Sequence, residues 1–349
     1  MSGEKMMKAA VLHQEKDMRV QKIEVPELEE DEVLIKVKAN GICGSDVHFY
    51  EKGELGPFVV NEPYVPGHES SGEIVEIGDQ VKNFDTGDRV VIEPGIPCRR
   101  CQFCKTGRYN LCQDVVFMSA PPINGTLSEY VAVPSDFVYE LPSVMDYKEG
   151  AMVEPTVVGV HACNRGDITG GMSVVVLGVG PIGLLALQSA RAYGATRVIA
   201  VDMIQDRLEL AEKLGATEII NAKNEDLVQK IKDLTEDRGV DVALETAGSV
   251  KTSQLSLDLV KRGGTVVHVG WTDPGEFSYS IEKVMEKELD IRGVNRYANA
   301  YPTAISLIAD NKIKVKPLIT HTFELYEAEE AFAFTANNKT EVIKSIIMS

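Results

Sequence analysis

The sequence is poor in basic and aromatic residues. Of its 349 residues, 6% are aromatic, and 36 Lys and Arg face 53 Asp and Glu, which gives a net charge of −17. An acidic surface repels phosphate groups. We therefore expect no binding to nucleic acid or to anionic membranes, and we take small molecules as the expected partners.

The sequence also has no apolar run of membrane-spanning length. The longest, residues 174–187, is broken by glycines and a proline, whereas a membrane helix needs about 20 apolar residues. Residues 1–13 carry scattered charges where a signal peptide would have its apolar core. From these two observations we expect a cytoplasmic protein without a membrane span.

Cysteine is scarce but clustered. The chain has six cysteines, and four of them follow the spacing C-x2-C-x2-C-x7-C. Four thiolates at such a spacing can converge on one ion and close its tetrahedral shell, which predicts a structural zinc. An iron–sulfur cluster is the alternative, but the fourth spacing and the missing proline argue against it. The predicted ligands are Cys98, Cys101, Cys104 and Cys112.

The pattern of the chain changes near residue 155. Residues 7–140 contain short strands with partial alternation, bounded by Gly, Pro or Asp, which is typical of a barrel-like β unit. Beyond residue 155, apolar strands alternate with amphipathic helices, which predicts a doubly wound parallel sheet. The fold class is therefore α/β plus β, and the length of the chain also favours two domains.

A glycine-rich turn follows the first apolar strand of the second region. Gly178, Gly180 and Gly183 form G-x-G-x-x-G at the start of a predicted helix, and Asp202 ends the next strand. This order predicts dinucleotide binding, because the glycines let the backbone approach the pyrophosphate in front of a helix N-terminus. The carboxylate of Asp202 would bind the adenosine ribose and repel a 2′-phosphate, so NAD is predicted rather than NADP.

A second set of metal-binding residue types is spread over three segments. Cys43 lies in "GICGSDVHFYEKG", His68 and Glu69 lie in "VPGHESSGEIVEIG", and Glu154 lies in "MVEPTVVGVHA". One thiolate, one imidazole and carboxylates suit a catalytic zinc with room for water or substrate. The sequence separation leaves open whether these residues meet.

Several motifs together resemble one known family. "GICGSDVH", "GHE", "GDRVVIEPG", the four-cysteine segment, "EPTVVGVHA", "GVGPIGL", "GVDVALETAG" and "RYANAYPTAI" occur in the order found in the zinc-dependent medium-chain dehydrogenase/reductase family. The resemblance covers essentially the whole chain and is strongest to the sorbitol (polyol) dehydrogenase branch. It implies a GroES-like β-barrel catalytic domain with an inserted Rossmann domain. The implied bounds are 1–155 and 295–349 for the catalytic domain and 156–294 for the Rossmann domain.

The resemblance also implies roles for the residues of the second metal site. Cys43, His68 and Glu69 correspond to the ligands of the catalytic zinc, and Glu154 to a carboxylate that holds the zinc-bound water or coordinates directly. Asp46 corresponds to the partner that orients the histidine ligand. Other zinc alcohol dehydrogenases have a cysteine at the position of Glu154, so this residue favours the polyol branch.

Two routes for the substrate proton remain open. One uses Glu154, a carboxylate next to the metal and well placed to act as a general base. The other uses Ser45 and His48, as in related alcohol dehydrogenases. We favour the route through Glu154.

The remaining cofactor and substrate contacts are likewise implied by the resemblance. Phe49 stands where relatives often have a tyrosine, and Asn295 stands where a phenylalanine is common, so both departures bear on the substrate more than on the reaction. The cofactor contacts are Gly178, Gly180, Ile182, Gly183, Asp202, Arg207, Val269, Gly270, Trp271, Val294 and Asn295. The substrate contacts are Phe49, Glu154, Arg296 and Tyr297.

The sequence thus predicts an NAD-dependent enzyme with two zinc ions per chain, one catalytic and one structural. The predicted reaction is oxidation of a sorbitol- or xylitol-like sugar alcohol to a 2-ketose. Threonine or 2,3-butanediol dehydrogenase on the same scaffold is the alternative, and a non-catalytic NAD-binding protein is a further one. Family members are commonly tetramers, so a homotetramer is expected.

Overall fold

The computed structural model describes residues 5–272 and 275–349. The strands in chain order are β1 Met6–Gln14, β2 Asp17–Glu24, β3 Glu32–Gly41, β4 Glu54–Leu55, β5 Phe58–Val59, β6 Glu69–Ile77, β7 Arg89–Ile92, β8 Gly95–Ile96, β9 Val116–Phe117, β10 Tyr130–Pro134, β11 Val138–Glu140, β12 Ser173–Leu177, β13 Arg197–Asp202, β14 Glu218–Asn221, β15 Val240–Glu245, β16 Val260–His268, β17 Asp290–Gly293, β18 Ile319–Glu324 and β19 Lys344–Met348.

The helices complete the element order. The α-helices in chain order are α1 Gly44–Lys52, α2 Gln102–Lys105, α3 Tyr147–Ala151, α4 Val153–Arg165, α5 Pro181–Ala192, α6 Gln205–Lys213, α7 Leu227–Thr235, α8 Val250–Leu259, α9 Ile281–Lys287, α10 Tyr301–Ala309 and α11 Ala328–Asn337. Short 3₁₀ turns occupy Tyr109–Leu111, Ser135–Phe137, Lys316–Leu318 and Leu325–Glu327.

The chain forms two compact units. Unit 1 consists of residues 1–154 and 315–349, and unit 2 consists of residues 155–314. Unit 2 is therefore inserted into the chain of unit 1.

Unit 1 is built around strand β3. In its main sheet the order is β11-β7-β6-β3-β19-β18, and β10 also pairs with β3. Strand β3 has an alternating apolar pattern, and its residues Val33, Ile35 and Val37 are buried in a cluster with residues of β6, β7 and β10. The C-terminal strand β19 lies antiparallel to β3, so the last residues of the chain complete the sheet begun by the first region.

Unit 2 contains a parallel sheet with the order β14-β13-β12-β15-β16-β17. The central strand β12 is almost uniformly apolar and buried, as expected for a parallel strand covered on both faces. The order reverses direction on either side of β12, which is the arrangement of a doubly wound nucleotide-binding fold. The predicted fold class, a β unit combined with a doubly wound parallel sheet, is confirmed.

The unit bounds resemble the predicted domain bounds at one end and differ at the other. The first division falls after Glu154, next to the predicted position, whereas the second falls after Lys314 rather than after Val294. The buried side chain of Gln188, on α5, explains the difference. It accepts a hydrogen bond from the amide of Lys314 at 2.7 Å and donates one to the carbonyl of Lys314 at 3.3 Å, which ties α10 and the segment after it to unit 2.

Candidate active site

The first candidate ligand, Cys43, lies at the junction between β3 and α1. It is the residue that precedes the helix, and its amide donates a hydrogen bond to Asp46 Oδ2 at 3.3 Å. The helix ends at Gly53, whose φ of 71° lies in the left-handed region that glycine adopts readily. The short segment "CGSD" thus begins a helix and fixes the positions of the thiol and of the Asp46 carboxylate together.

His68 and Glu69 come from the neighbouring strand. Glu69 is the first residue of β6 and pairs with Gly41 at the end of β3. The ligand atoms of Cys43, His68 and Glu69 all lie within 4.8 Å of one another. The structure therefore brings together three residues that are separated in sequence, and a sulfur, a nitrogen and an oxygen donor at this spacing fit a zinc ion.

Asp46 positions the imidazole of His68. Its Oδ1 lies 3.4 Å from His68 Nδ1 and accepts a hydrogen bond from Ser119 Oγ at 2.6 Å. Burial alone would raise the pKa of Asp46, but His68, Ser119 and the Cys43 amide outweigh burial and lower it. The Asp46 carboxylate faces the Nδ1 side of the ring at 3.4 Å, which leaves Nε2 as the nitrogen for a metal.

Lys344 lies beside Glu69, although no motif pointed to it. Its Nζ donates to Glu69 Oε1 at 2.7 Å and to Oε2 at 2.6 Å, and both side chains are almost fully buried. Burial alone would lower the pKa of Lys344, but the charges of Glu69, Cys43 and Glu154 raise it. Glu154 acts on Lys344 through its charge, while the group whose ligand atoms converge consists of Cys43, His68 and Glu69.

The other predicted residues of unit 1 occupy three kinds of environment. Glu154 is buried in the first turn of α4, while Ser45 and His48 are half-buried on α1. Phe49 points into the apolar core and is 3% exposed, with its ring edge-on to Tyr64 at a centroid distance of 6.3 Å. Its predicted contact with substrate therefore stays a prediction.

The four cysteines of the other cluster also converge. Their sulfur atoms lie within 4.8 Å of one another, with Cys101 Sγ 3.4 Å and Cys98 Sγ 4.0 Å from Cys104 Sγ. Backbone amides point at the sulfurs, as from Cys98 to Cys112 Sγ at 3.4 Å. Four sulfur donors with amide support fit a closed tetrahedral zinc site.

The glycine-rich turn in unit 2 has the geometry that the fingerprint requires. Gly178 has a φ of 87°, and a Cβ there would lie 2.7 Å from Ala247. A Cβ on Gly183 would lie 1.9 Å from the carbonyl oxygen of Gly178. Gly180, by contrast, faces open space, with Arg207 Nη1 3.9 Å from where its Cβ would be. Gly178 and Gly183 thus close the turn, and Gly180 leaves room for a phosphate. Ile182 lies in the first turn of α5, which begins directly after Gly180.

Asp202, at the end of β13, borders a cavity of about 420 Å³. Its carboxylate accepts hydrogen bonds from the amides of Val179 at 2.8 Å and Met203 at 2.7 Å. The cavity is also lined by the apolar side chains of Val201, Leu227 and other residues. An apolar slot next to a fixed carboxylate suits an adenosine.

The remaining predicted cofactor residues of unit 2 lie at the same edge of the sheet. The amides of Val269 and Gly270 donate to the carbonyl of Glu245 at the end of β15, and the amide of Val294 donates to the carbonyl of His268 at the end of β16. Trp271 and Asn295 are exposed. The carboxyl ends of parallel strands form the ligand edge of such sheets, and the contact of these residues with a cofactor stays a prediction.

The predicted substrate residues of unit 2 follow β17. Arg296 has a φ of 54°, a left-handed conformation that costs a non-glycine residue roughly 1 kcal/mol or more. Burial lowers its pKa. Tyr297 is buried and packs edge-on to Tyr301 at a ring centroid distance of 5.7 Å. Residues in strained backbone conformations cluster at functional sites, so the substrate role of Arg296 stays a prediction.

Sequence reasoning missed Lys344, Ser119 and Phe117. The ring of Phe117 packs against His68 at a centroid distance of 5.5 Å. The sequence offered one signal, which is that Lys344 stands in the apolar segment "VIKSIIM", where a lysine needs a buried partner. Nothing comparable distinguished Ser119 or Phe117.

Comparisons with known proteins define the class. The model of the alcohol dehydrogenase GroES-like domain matches residues 29–143, and that of the zinc-binding dehydrogenase matches residues 181–310. These two models, together with the two candidate metal clusters, define a zinc-dependent alcohol dehydrogenase fold. The chain belongs to the zinc-dependent medium-chain dehydrogenase/reductase family, which uses zinc and a nicotinamide cofactor.

Three similar proteins illustrate the range of the family. Sorbitol dehydrogenase of Bacillus subtilis is 42% identical over 98% of this chain and 97% of its own. A crystal structure of an Escherichia coli oxidoreductase/dehydrogenase of unknown specificity superposes with a TM-score of 0.95 at 42% identity, covering 99% of both chains. The 2R,3R-butanediol dehydrogenase of Bacillus subtilis has a TM-score of 0.89 at 34% identity, covering 98% of this chain and 99% of its own.

Among the described residues, the structure has no helix that is both long enough and apolar enough to cross a bilayer.

Proposed function

We propose that the protein is an NAD- and zinc-dependent polyol dehydrogenase that oxidises a secondary hydroxyl group of a sorbitol- or xylitol-like sugar alcohol to give a 2-ketose. The observation that carries this proposal is the buried convergence of Cys43, His68 and Glu69, with the charge of Glu154 nearby. The similarity over nearly the full chain to a sorbitol dehydrogenase supports the choice of substrate class.

Two zinc ions per chain are part of the proposal. Cys43, His68 and Glu69 would hold the catalytic ion, with Glu154 as a further oxygen donor, and the four cysteines would hold the structural ion. When bound at the first site, zinc supplies Lewis-acid polarisation of the substrate hydroxyl group. Asp46 would keep His68 oriented for this task, since its Oδ1 lies 3.4 Å from His68 Nδ1 and is itself held by a hydrogen bond from Ser119.

Glu154 is proposed as the group that receives the substrate proton. The burial of Glu154 and its charge effect on Lys344 support this proposal, since a carboxylate beside a metal is suited to general-base work. Ser45 and His48 form the alternative relay. A Glu154→Gln variant should lose kcat, whereas a His48→Gln variant should retain most of it. The reverse ranking would favour the relay through His48.

NAD is the proposed cofactor, because Asp202 ends β13 next to the glycine-rich turn, where its carboxylate could accept hydrogen bonds from the adenosine ribose. Its carboxylate is held by backbone amides beside the apolar cavity, where it would repel a 2′-phosphate. Replacing Asp202 by Ala should lower the ratio of kcat/KM for NAD to that for NADP by about 10-fold or more. An unchanged ratio would contradict the role given to Asp202.

A steady-state panel of sorbitol, xylitol, galactitol, threonine and 2,3-butanediol tests the substrate. We expect the highest kcat/KM for one of the sugar alcohols, since Arg296 and Tyr297 supply polar groups to outer hydroxyls in the polyol branch that the sequence resembles. The highest value for threonine or butanediol would overturn the choice of substrate but not the reaction type. Absence of turnover with every member would favour a non-catalytic NAD-binding protein.

Butanediol is the second candidate because a structurally similar enzyme acts on it. The lower identity of that enzyme, 34% against 42% for the sorbitol dehydrogenase, favours the polyol. Phe49 bears on this choice, since it lacks the hydroxyl group that a tyrosine would offer. A Phe49→Tyr variant with improved kcat/KM for sorbitol would support a pocket next to this residue.

We further propose a cytoplasmic homotetramer. Strand β17 ends the parallel sheet, and Ile281, Met285 and Ile291, on α9 and β17, expose large apolar side chains. An open strand edge beside exposed apolar residues supports self-association.

The four-thiolate cluster supports a reducing compartment, and so a cytoplasmic protein. Sedimentation equilibrium should give four chains per particle, and a concentration-independent monomer would contradict the assembly.

A further inference from the structure

Glu245 is a fully buried carboxylate at the end of β15. Its Oε1 accepts hydrogen bonds from the amides of Ala247 at 3.1 Å and Gly248 at 3.0 Å and from Thr252 Oγ1 at 2.8 Å. The amide of Gly248 also lies 3.3 Å from Oε2. Residues 246–249 therefore fold back around this one side chain, and we call them the carboxylate turn.

Neutral donors, rather than a cation, hold the side chain of Glu245. Of the basic residues that the structure describes, His268 alone comes within ion-pair distance, with Nδ1 4.0 Å from Glu245 Oε2. Burial lowers the pKa of His268, so its ring is neutral at physiological pH. Burial raises the pKa of Glu245, while the hydroxyl and amide donors act to lower it. A buried carboxylate is costly unless donors satisfy it, so the side chain and the carboxylate turn stabilise each other.

One side of the carboxylate turn packs against the glycine-rich turn. A Cβ on Gly178 would lie 2.7 Å from the Cβ of Ala247, and one on Gly183 would lie 2.8 Å from Thr246 Oγ1. Thr246 Oγ1 also donates to the carbonyl of Leu177 at 3.0 Å. Because the two turns are in direct contact, a shift of the carboxylate turn would displace the segment predicted to face the pyrophosphate.

The other side of the carboxylate turn packs against residues 269–271, which are predicted cofactor contacts. Gly248 has a φ of 62°, and a Cβ there would lie 2.4 Å from the carbonyl oxygen of Trp271. A Cβ on Gly270 would lie 2.4 Å from the amide nitrogen of Gly248. The carboxylate turn thus lies between two segments that are both predicted to bind the dinucleotide.

We propose that Glu245 is a positioning residue for the dinucleotide, whose carboxylate holds the carboxylate turn against both cofactor-binding segments and so sets the affinity for NAD and NADH. This inference rests on the NAD site of the proposed function. The carboxylate turn also contributes directly to that site, because Ala247 and Ser249 line the cavity beside Asp202. A glutamine at position 245 would keep one acceptor oxygen but place an NH₂ donor among amide donors, which opens the turn.

The Glu245→Gln variant tests this role, since glutamine has nearly the same volume as glutamate. NADH is titrated into the full chain, and binding is followed by the fluorescence of NADH and of Trp271, the only tryptophan of the sequence. We expect the Kd for NADH to rise about 10-fold, the size of one lost charge-assisted hydrogen bond. The KM for NAD should rise with it, while kcat at saturating NAD falls less than about threefold. An unchanged Kd would overturn the inference.

Asp241→Asn is the matched control, because Asp241 lies near the amino end of the same strand. Its Oδ2 accepts hydrogen bonds from the amide of Ser173 at 2.7 Å and from Ser173 Oγ at 2.6 Å, so this variant also removes a carboxylate that holds the backbone. It should lower the Tm but leave the Kd for NADH within about twofold of the wild type. A rise in Kd as large as that of Glu245→Gln would show a general loss of stability and overturn the inference.

Gly248→Ala disturbs the carboxylate turn without changing Glu245. The left-handed φ and the close carbonyl of Trp271 leave no room for a methyl group, so the Kd for NADH should again rise about 10-fold. In the double variant with Glu245→Gln, the two increases in Kd should combine to less than their product, because both act through one turn. A full product would show that Glu245 acts elsewhere. Should Glu245→Gln not fold, an unchanged Kd in Gly248→Ala would overturn the inference by itself.

Failure of this inference can be told apart from failure of the proposed function. Wild-type protein that binds no NADH would overturn both. Wild-type protein that binds NADH and oxidises a sugar alcohol, with Glu245→Gln unchanged in its Kd for NADH, would overturn the role of Glu245 alone.

Discussion

The two candidate metal clusters of unit 1 differ in nearly every physical respect. The four cysteines come from one short segment, residues 98–112, and offer four identical donors. Cys43, His68 and Glu69 come from different elements, are more deeply buried, and offer three kinds of donor atom. The first cluster fills a tetrahedral shell by itself, whereas the second leaves it open.

The surroundings of the clusters differ as well. Backbone amides support the sulfurs of the four-cysteine cluster, while charged side chains surround the other one, with Asp46 beside His68 and Lys344 beside Glu69. Amides fix a geometry without adding net charge, whereas charged partners adjust how strongly each ligand binds. The comparison therefore suggests that one cluster serves stability and the other serves chemistry.

The largest expected effect is the loss of activity in Cys43→Ala. Removing the only thiolate donor of the open site should lower kcat/KM by about 1,000-fold or more, because polarisation by a bound metal supplies several kcal/mol to the transition state. Steady-state kinetics check this effect, and thermal unfolding should show a nearly unchanged Tm. Retention of more than a tenth of the wild-type kcat/KM would remove Cys43 from the site.

The opposite pattern is expected for Cys104→Ser. A four-thiolate metal contributes to folding, so losing one ligand should lower the Tm by about 5–10 °C while kcat at 25 °C falls less than about threefold. Calorimetry and kinetics on the same preparation test both parts. Cys163→Ser, at a buried cysteine outside both clusters, is the matched control. Equal losses of activity in Cys104→Ser and Cys43→Ala would break the distinction between the clusters.

Glu93 links the four-cysteine segment to the sheet and should make stability depend on pH. It accepts hydrogen bonds from Tyr109 at 2.8 Å and Tyr139 at 2.9 Å. Burial raises the pKa of Glu93 from 4.5 to about 7, although both tyrosine hydroxyls act to lower it. Between pH 4.5 and pH 7 the folded protein therefore keeps a proton on Glu93 that the unfolded chain releases. The contribution of protonated Glu93 to stability is complete below pH 4.5 and is lost as the pH rises through 7.

The loss corresponds to about 3 kcal/mol of unfolding free energy between pH 4.5 and pH 8. Glu93→Gln cannot ionise. Its free energy of unfolding, minus that of the wild type, should therefore be larger at pH 8 than at pH 5. Urea unfolding at both pH values measures this difference, with the exposed Glu140→Gln on the neighbouring strand as control. If the free energies of unfolding of Glu93→Gln and the wild type differed by the same amount at both pH values, Glu93 would not be protonated in the folded protein.

The smallest expected effect belongs to Ser119→Ala. Ser119 donates to Asp46 and accepts from the amide of Gly67 at 2.8 Å, so its removal should loosen His68 and weaken metal binding at the open site by about 10-fold. The four-cysteine cluster should be unaffected. Ser128→Ala removes another buried hydroxyl in the same unit and controls for the general cost. An equal metal affinity in the two variants would show that Ser119 does not act through Asp46.

Local motifs made most of the fold and much of the site predictable. The glycine-rich turn was predictable because Gly178 and Gly183 each answer a local steric demand, and the four cysteines because their spacing alone brings them together. The contact of Lys344 with Glu69 joins residues far apart in the sequence through the pairing of β19 with β3, and no local pattern contains that information. The pairing of Gln188 with Lys314 is also long-range, and no local pattern in the sequence indicates it.

The most direct test of the difference between the two clusters is metal content measured before and after mild chelation. We expect about two zinc ions per chain, of which a chelator removes one. Activity should disappear with that ion, while the far-UV circular dichroism spectrum stays the same and the second ion remains with the four cysteines. A protein that holds one ion throughout, or that unfolds when the first is removed, would contradict the assignment of one cluster to chemistry and the other to stability.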